Sequence, residues 1–422
     1  MNFYLKKYGF CPPQLQDEPH TDVGIIVVIP CYNENDLISS LNALLLCEQP
    51  KCRVEVITVI NASEKSSIEI KQQNLKTYTH GIEWAKNNNS DQLKFHFILN
   101  NDLPKKHAGV GLARKIGMDE AVARFHSISK DGVIVCFDAD SKCDKNYLVE
   151  IENHFNANLK TPGCSFHYEH PIEGNEFEQN IYDGIINYEL FLRYYNQAQR
   201  YCKLPYAYHT VGSSMAVKSS AYQKQGGMNK RKAGEDFYFI HKIIALGNFT
   251  NLSSTKLIPS PRISDRVPFG TGRAIGEWVD KNPETYLTYD FRIWEIIRDF
   301  VNIIPSLENQ SIEDISFFND KENSVFVDFL KQNEFENSLN EIRKNSTNSK
   351  GFIKRFLVWF NAFKLLKAVH YLRDHQYQNQ PIFNEAKKLA IKQGFYSNEL
   401  NEKELLLKYR LIENNSFVKS SS

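Results

Sequence analysis

Four short apolar runs, separated by segments of helical character, constrain the fold of this chain most strongly. They cover residues 23–29, 54–60, 95–99 and 133–137. The first and last are almost continuously apolar, as in strands that are buried on both faces. Helix-compatible segments such as 35–47 and 109–126 lie between them. The alternation predicts an α/β fold with a mostly parallel sheet flanked by helices, whose ligands bind beyond the carboxyl ends of the strands.

Glycine and proline usage divides the chain. Of 20 glycines only two lie beyond residue 280, and of 15 prolines only three do. Because the last third has few turn-forming residues, we expect it to be mainly helical. The predicted organisation is an N-terminal extension (1–22), an α/β catalytic domain (23–280), a helical C-terminal region (281–415) and a frayed tail (416–422).

Composition excludes several classes of protein. With 51 Lys and Arg against 50 Asp and Glu the formal charge is +1, so no nucleic-acid partner is expected. Eight cysteines are scattered without a Cys-x-x-Cys pair, which argues against a zinc ribbon and favours reduced thiols in the cytoplasm. The N-terminus lacks the features of a secretory signal, and no apolar run is long enough to span a bilayer.

Polar residues follow the first three runs. Residues 30–34 read Pro-Cys-Tyr-Asn-Glu, and residues 61–64 read Asn-Ala-Ser-Glu. Both stretches could hold a ligand, or could simply cap the next helix, through Asn33 or Asn35 in the first case. After the third run, a basic loop with Lys106 leads into a helix with Arg114. It could meet a phosphate-bearing ligand or be a solvated turn.

Asp138 and Asp140 follow the fourth run directly. Two carboxylates this close repel each other and are costly to bury without a partner, so a cation is the natural resolution. Oxygen ligands suit Mg²⁺ or Mn²⁺, which are often held by one or two carboxylates together with phosphate oxygens. The sequence therefore predicts a divalent cation as cofactor.

Two later stretches carry further candidates. Glu235 and Asp236 begin a helical segment. They could interact favourably with the positive end of the helix dipole, or one of them could be a general base. Residues 261–273 contain three arginines and two glycines and could fold over a diphosphate or form a solvated linker.

Together these pieces resemble an inverting family 2 glycosyltransferase with the GT-A fold, a Rossmann-like nucleotide-sugar-binding α/β fold. The resemblance covers about residues 23–275 and rests on five motifs in the expected order: Ile29–Glu34, Gly111–Arg114, Asp138–Asp140, Gly212–Val217 and Gly234–Asp236.

The resemblance implies a role for each matched position. Asp236 would be the catalytic base, and Asp140 with Asp138 would hold the metal. Gly212, Ser213, Ser214 and Glu235 would line the pocket for the sugar and acceptor, and Arg266 and Arg273 would belong to a diphosphate loop. The nucleotide-sugar donor would contact Pro30, Tyr32, Asn33, Glu34, Asn61, Lys106, Arg114, Asp138, Ala139 and Asp140.

Departures from the family pattern refine the expected activity. Asn61 stands where the family often has an acid, and Lys115 where an Asn commonly follows the arginine. The Gln-x-x-Arg-Trp motif of processive synthases is missing, which favours the addition of one sugar to a glycan or lipid-linked acceptor. The alternatives are a sugar nucleotidyltransferase or a catalytically silent binding protein of the same fold. A haloacid-type phosphatase is disfavoured because its Asp-x-Asp normally follows the first strand.

Residues 352–367 read as one aromatic, basic amphipathic helix. The favoured interpretation is a helix packed on the protein with its lysines in water. The alternative is peripheral contact with the inner face of an anionic membrane.

Overall fold

The computed structural model describes residues 2–232, 234–266, 270–396 and 399–419. Its strands begin close to the predicted apolar runs, and the first three extend beyond them into the polar residues that follow. The strands are β1 (Val23–Cys31), β2 (Arg53–Ser63), β3 (Leu93–Leu103), β4 (Val133–Cys136), β5 (Lys142–Cys143), β6 (Gly163–Tyr168), β7 (Met215–Lys218), β8 (Thr250–Ile258), β9 (Leu287–Thr288) and β10 (Gln380–Pro381).

Eight of these strands form one sheet in the order β3-β2-β1-β4-β7-β6-β8-β5. β1 pairs in parallel with β2 and β4, and β2 pairs in parallel with β3. β7 lies antiparallel between β4 and β6, and β5 runs antiparallel to β8. Because the carboxyl ends of β1, β2, β3 and β4 point the same way, the polar residues that follow them meet at one edge of the sheet.

Helices cover the sheet and make up most of the chain after it, as predicted for a GT-A-type fold with a mainly helical C-terminal region. They are α1 (Phe3–Tyr8), α2 (Leu37–Leu45), α3 (Ile68–Asn88), α4 (Val110–Ser127), α5 (Tyr147–Ala157), α6 (Gln179–Tyr201), α7 (Ser219–Lys224), α8 (Glu235–Ile244), α9 (Thr271–Lys281), α10 (Phe291–Ile303), α11 (Ser316–Asn319), α12 (Ser324–Gln332), α13 (Phe335–Lys344), α14 (Ser349–Trp359), α15 (Ala362–His375), α16 (Ile382–Lys392) and α17 (Glu402–Lys419). Short 3₁₀ turns lie at Ser306–Glu308, Ile312–Asp314 and Lys321–Asn323.

The chain divides into two compact units. The first, which contains the eight-stranded sheet, is built from residues 1–177, 209–276 and 414–422, and the second from 178–208 and 277–413. The division into an extension, a catalytic domain, a helical region and a tail stays a prediction. Residues 420–422 of the predicted tail lie outside the described residues.

The predicted single helix over 352–367 is wrong, since the chain forms two helices there. α14 ends at Trp359, and the side chain of Asn361 caps α15 by accepting the N–H groups of Phe363 and Lys364. An asparagine offers the backbone an alternative hydrogen bond and so ends one helix and begins the next. Within the second unit the aromatic face of this segment is buried, with Phe352, Phe356 and Phe360 fully covered. Among the residues described, every helix is too short or too polar to span a bilayer.

Helix α4, which carries Arg114, is fixed by the N-terminal segment. Tyr4 and Tyr222 donate their hydroxyl groups to the same carboxylate oxygen of Asp119, at 2.7 and 2.8 Å. Lys115 is buried beside that carboxylate, 3.0 Å from it. Lys115 and Asp119 lie one turn apart on α4, and Nζ of Lys115 also donates to the hydroxyl group of Tyr4 at 3.1 Å, so Lys115 takes part in the contact between α1 and α4.

Candidate active site

Arg114 joins two acids from different elements at the carboxyl edge of the sheet. Its Nη2 lies 2.6 Å from Oδ1 of Asp138, which follows β4, and its Nη1 donates to Oε1 of Glu235, the first residue of α8. The side chains of Arg114 and Glu235 are almost completely buried. We call Arg114, Asp138 and Glu235 the inner cluster.

The inner cluster depends on close packing of backbone around the guanidinium group. A Cβ atom on Gly212 would lie 2.5 Å from Nη1 of Arg114, so only glycine leaves room for the side chain there. Burial by itself would lower the pKa of Arg114, but the adjacent carboxylates of Asp138 and Glu235 outweigh it and raise that pKa. Arg114 thus stays charged and holds the ends of β4, α4 and α8 together.

A second group of charges lies beside the inner cluster on a more open surface. Nε of Arg262 lies 2.7 Å from Oδ2 of Asp140, and the same guanidinium group forms a bidentate pair with Glu34. Arg266 adds a contact of 3.2 Å to Glu34. We call Arg262, Arg266, Glu34 and Asp140 the outer cluster.

Exposure separates the two clusters. The side chains of Arg262, Arg266 and Asp140 are 28%, 29% and 31% exposed, against 4% for Arg114. Glu34 is the buried member of the outer cluster at 1%. Although burial favours its neutral form, the hydrogen bond and charge of Arg262 outweigh this and lower the pKa of Glu34. Burial raises the pKa of Asp140 despite Arg262.

The turn after β1 is built to present Glu34. Asn33 adopts the left-handed conformation with φ 48°, and its N–H donates to Oδ1 of Asn74 on α3 at 2.9 Å. The carbonyl oxygen of Glu34 accepts the hydroxyl group of Thr77 at 2.7 Å. The alternative from the sequence, a helix cap by Asn33 or Asn35, is wrong. Asp36 is the cap, through the N–H of Ser39 at 3.2 Å.

Sequence reasoning missed the central residue of the outer cluster. Arg262 was noticed only as one of three arginines in a loop, whereas Arg266 and Arg273 were assigned to a diphosphate site. Its position four residues after β8, directly after Pro261, is the signal that could have singled it out. Arg266 does reach Glu34, but Arg273 pairs instead with the exposed Asp265 at 3.3 Å. Residues 267–269 of this loop lie outside the described residues.

Asp236, the predicted base, lies next to the inner cluster. Its Oδ1 accepts the N–H of Phe237 at 2.7 Å, and Arg114 and Asp138 are close enough to act on its charge. Burial raises the pKa of Asp236, and it raises that of Glu235 to about 7. A carboxylate whose pKa is raised is a stronger base than a free carboxylate, which is the property that a general base needs.

The predicted sugar and acceptor residues precede β7. Gly212, Ser213 and Ser214 are buried, and the hydroxyl of Ser214 has no hydrogen-bond partner within the described part of the chain. A buried hydroxyl without a partner costs free energy, and the structure gives no further indication that Ser214 contacts a ligand.

The remaining predicted donor residues are dispersed. Pro30 is buried at the end of β1, and Ala139 is buried between the two aspartates. Tyr32 is half-buried, and its carbonyl oxygen accepts from Arg266 at 3.3 Å. Asn61 is only 2% exposed at the end of β2. Lys106 is exposed on the loop between β3 and α4.

A metal ion fits this site only if the ion is shared with a phosphate ligand. Among the described residues no group of three or more His, Cys, Asp or Glu side chains could hold an ion alone. Asp140 nevertheless has only one oxygen engaged, by Arg262, in the part of the chain that the structure describes. One carboxylate oxygen beside a second acid, Asp138, is the donor set that Mg²⁺ or Mn²⁺ uses together with phosphate oxygens.

Solved structures of similar fold include two glycosyltransferases. TarS 1-349 of S. aureus in complex with UDP-GlcNAc is 15% identical, with 90% of this chain and 95% of that chain covered and a TM-score of 0.40. The mannosyltransferase PcManGT of Pyrobaculum calidifontis, in complex with GDP-Man and Mn²⁺, is 12% identical, with coverages of 98% and 93% and a TM-score of 0.36. At these TM-scores the similarity carries no argument about the site.

The family comparison is more direct. No curated protein sequence matches the chain. Residues 26–226 match the family model described as glycosyl transferase family 2, a region that includes the inner-cluster residues Arg114 and Asp138 and the outer-cluster residues Glu34 and Asp140. Asp236 and Arg262 follow the matched region. The match identifies residues 26–226, a little under half of the chain, as a glycosyl transferase family 2 region, and the protein is a glycosyltransferase.

Proposed function

We propose that the protein transfers one sugar at a time from a nucleoside-diphosphate sugar to a hydroxyl group of a glycan or lipid-linked acceptor, with inversion at the anomeric carbon. The observation that carries the proposal is the arrangement of the two clusters. The outer cluster offers exchangeable cations for a diphosphate, and Asp236, beside the inner cluster, is an acid suited to deprotonate an acceptor.

On the donor side, Arg262 and Arg266 bind the leaving diphosphate. Both guanidinium groups are partly exposed and currently neutralise Glu34 and Asp140, so a diphosphate can recruit them by replacing carboxylate contacts with phosphate contacts. Charge that develops on the leaving group is then stabilised by cations already in place. The turn at Tyr32 and Asn33, with Asn61 beneath it, faces the nucleotide in this proposal.

Asp140 and Asp138 would hold the divalent cation together with the diphosphate. A bound Mg²⁺ or Mn²⁺ would add positive charge at the leaving group. Arg114 keeps Asp138 in place by occupying its Oδ1. Arg262 restrains Asp140 until the donor arrives.

On the acceptor side, Asp236 takes the proton from the attacking hydroxyl group. Its raised pKa makes it a stronger base than an exposed aspartate, and its ionised form is favoured by Arg114. Glu235, held by Arg114, fixes the first turn of α8 and thereby the direction of Asp236. Gly212, Ser213 and Ser214 line the pocket for the sugar and the acceptor.

We place this activity in the cytoplasm, in keeping with eight free cysteines in the described chain. Peripheral membrane contact through residues 352–367 has weaker support, because the largest apolar side chains of that segment are buried. Val358, at 66%, is exposed and could contribute to such contact.

The test is an assay of nucleoside diphosphate release with a panel of nucleotide sugars, Mn²⁺ and candidate acceptors. We expect Asp236→Asn to lower kcat by about 10² to 10⁴, the usual contribution of a general base, while the donor Kd changes little. Asp91→Asn is the matched control and should keep full activity, because Asp91 is exposed and forms no ion pair with another described residue.

Full turnover by Asp236→Asn would remove that residue from the reaction. Binding of donors without any release of nucleoside diphosphate would favour a silent binding protein. Release of pyrophosphate from sugar phosphate and nucleoside triphosphate would favour a nucleotidyltransferase.

A further inference from the structure

Two loops bring a group of basic side chains together beside α4. One loop connects β3 to α4 and contributes Lys106 and His107, and the other precedes α8 and contributes Lys230, Arg231 and Lys232. We call these five residues the basic rim. A Cβ atom placed on Gly109 would lie 3.2 Å from Cα of Lys232, so the two loops touch.

The positive charge of the basic rim is not neutralised. Lys106, Lys230, Arg231 and Lys232 are exposed, and none of them forms an ion pair with a described carboxylate. Desolvation and the charges of Lys230, Lys106 and Lys232 lower the pKa of His107, as expected for a ring that faces other cations. Although the net charge of the chain is only +1, four of its cations lie on these two adjoining loops.

The basic rim is attached to the turn that carries the proposed base. Nδ2 of Asn229 donates to the carbonyl oxygen of Glu235 at 3.0 Å, and the guanidinium group of Arg231 lies 3.7 Å from the ring centroid of Tyr238. A Cβ atom on Gly111 would lie 2.2 Å from the carbonyl oxygen of Arg231, which seats this loop against the first turn of α4. Lys232 lies only four residues before Asp236.

We propose that the basic rim binds an anionic group, a phosphate, sulfate or carboxylate, carried by the acceptor glycan. The inference rests on the proposed transferase function and names its acceptor class. In the proposed function the diphosphate of the donor is bound by Arg262 and Arg266, which contact Glu34 and Asp140 and not the rim, so the rim is left for a second anion. Exposed cations on the loop that leads into α8 raise the local concentration of an anionic acceptor near the first turn of that helix.

The test compares two variants that lose the same charge. Lys230→Gln/Lys232→Gln alters the rim, and Lys76→Gln/Lys86→Gln alters two exposed lysines of α3 that form no ion pair within the described part of the chain. Each is titrated with a fluorescein-labelled sulfated hexasaccharide of the heparin type and with an uncharged maltohexaose, by fluorescence anisotropy at low and moderate salt.

We expect the wild-type protein to bind the sulfated probe and not the neutral one, with binding weakened by salt. The rim variant should lose about tenfold or more in affinity, whereas the α3 variant should lose less than about twofold. Equal losses in both variants, or none in either, would overturn the proposal.

Two further binding experiments test whether the rim binds a different ligand. If the rim variant loses stabilisation by nucleoside diphosphate and Mn²⁺, the rim serves the donor and the proposal fails. If the rim binds vesicles of phosphatidylglycerol and phosphatidylcholine but not the sulfated hexasaccharide, its ligand is a lipid surface and the proposal also fails. Binding of the sulfated probe by a wild-type protein that binds and consumes no donor would instead count against the proposed transferase function.

Discussion

The inner and outer clusters use the same chemistry, an arginine between two acids, in two different environments. Arg114 is enclosed by the sheet edge and α8, and both ends of its guanidinium group are fixed by Asp138 and Glu235. Arg262 lies on a loop, partly in solvent, where it pairs with Asp140 and Glu34, and Arg266 also contacts Glu34. The difference indicates that the inner cluster is a scaffold and the outer cluster is where ligand exchange takes place.

Removal of the buried arginine should have the largest effect on stability. Arg114→Gln leaves Asp138 and Glu235 without their counter-charge, and we expect a loss of about 3–5 kcal/mol in the free energy of unfolding. Arg262→Gln is the matched change in the outer cluster and should cost about 1 kcal/mol or less, because its pairs are partly solvated and Arg266 remains on Glu34. Denaturant unfolding measures both, and equal losses would remove the distinction between the clusters.

Although Arg262→Gln should change stability little, it should have a large effect on donor binding. Arg262→Gln frees Asp140 but removes a diphosphate contact, so we expect the Kd for the nucleotide sugar to rise about tenfold, by analogy with other charge-assisted contacts. Isothermal titration calorimetry with the nucleotide sugar and Mn²⁺ measures this change, and an unchanged donor Kd would remove Arg262 from the proposed diphosphate site.

The pH dependence of turnover tests the inner cluster. Because Asp236 must be ionised to accept a proton, and because burial raises the pKa of Glu235 to about 7, kcat/KM should fall as the pH is lowered through the neutral range. The apparent pKa belongs to the adjacent acids as a pair. Glu235→Gln removes one negative charge, so it should move this acid limb to lower pH. If the acid side of the pH profile did not move in Glu235→Gln, Glu235 would not influence the group that titrates.

The smallest effect is expected at Arg273. Its side chain is 45% exposed and pairs with the more exposed Asp265. We therefore expect Arg273→Gln to change the donor Kd by less than about twofold, the usual size for a surface ion pair. A loss as large as that of Arg262→Gln would restore the diphosphate role that the sequence predicted for Arg273.

The sequence predicted the part of the site that lies on the sheet. The apolar run over 133–137 located β4, and since ligands bind beyond the ends of such strands, Asp138 and Asp140 followed from local pattern alone. Arg114 and Asp236 were predicted as site residues through the family motifs. In each case the informative residues are close in sequence to the element that places them.

Contacts between distant segments could not be read from the sequence. Arg262 lies 228 positions from Glu34, and no periodicity connects them. The insertion of β7 antiparallel between β4 and β6 likewise depends on tertiary pairing. The break between α14 and α15 was missed for a different reason, because the apolar pattern runs through Asn361 although its side chain ends one helix and starts the next.

A crystal structure of the protein with its nucleotide sugar and Mn²⁺ tests the central claim most directly. We predict that Nε of Arg262 moves from 2.7 Å to beyond hydrogen-bond distance of Asp140 and contacts the diphosphate, while Nη2 of Arg114 stays near 2.6 Å from Asp138. A donor complex that leaves Arg262 on Asp140, or that breaks the pair between Arg114 and Asp138, would contradict the account.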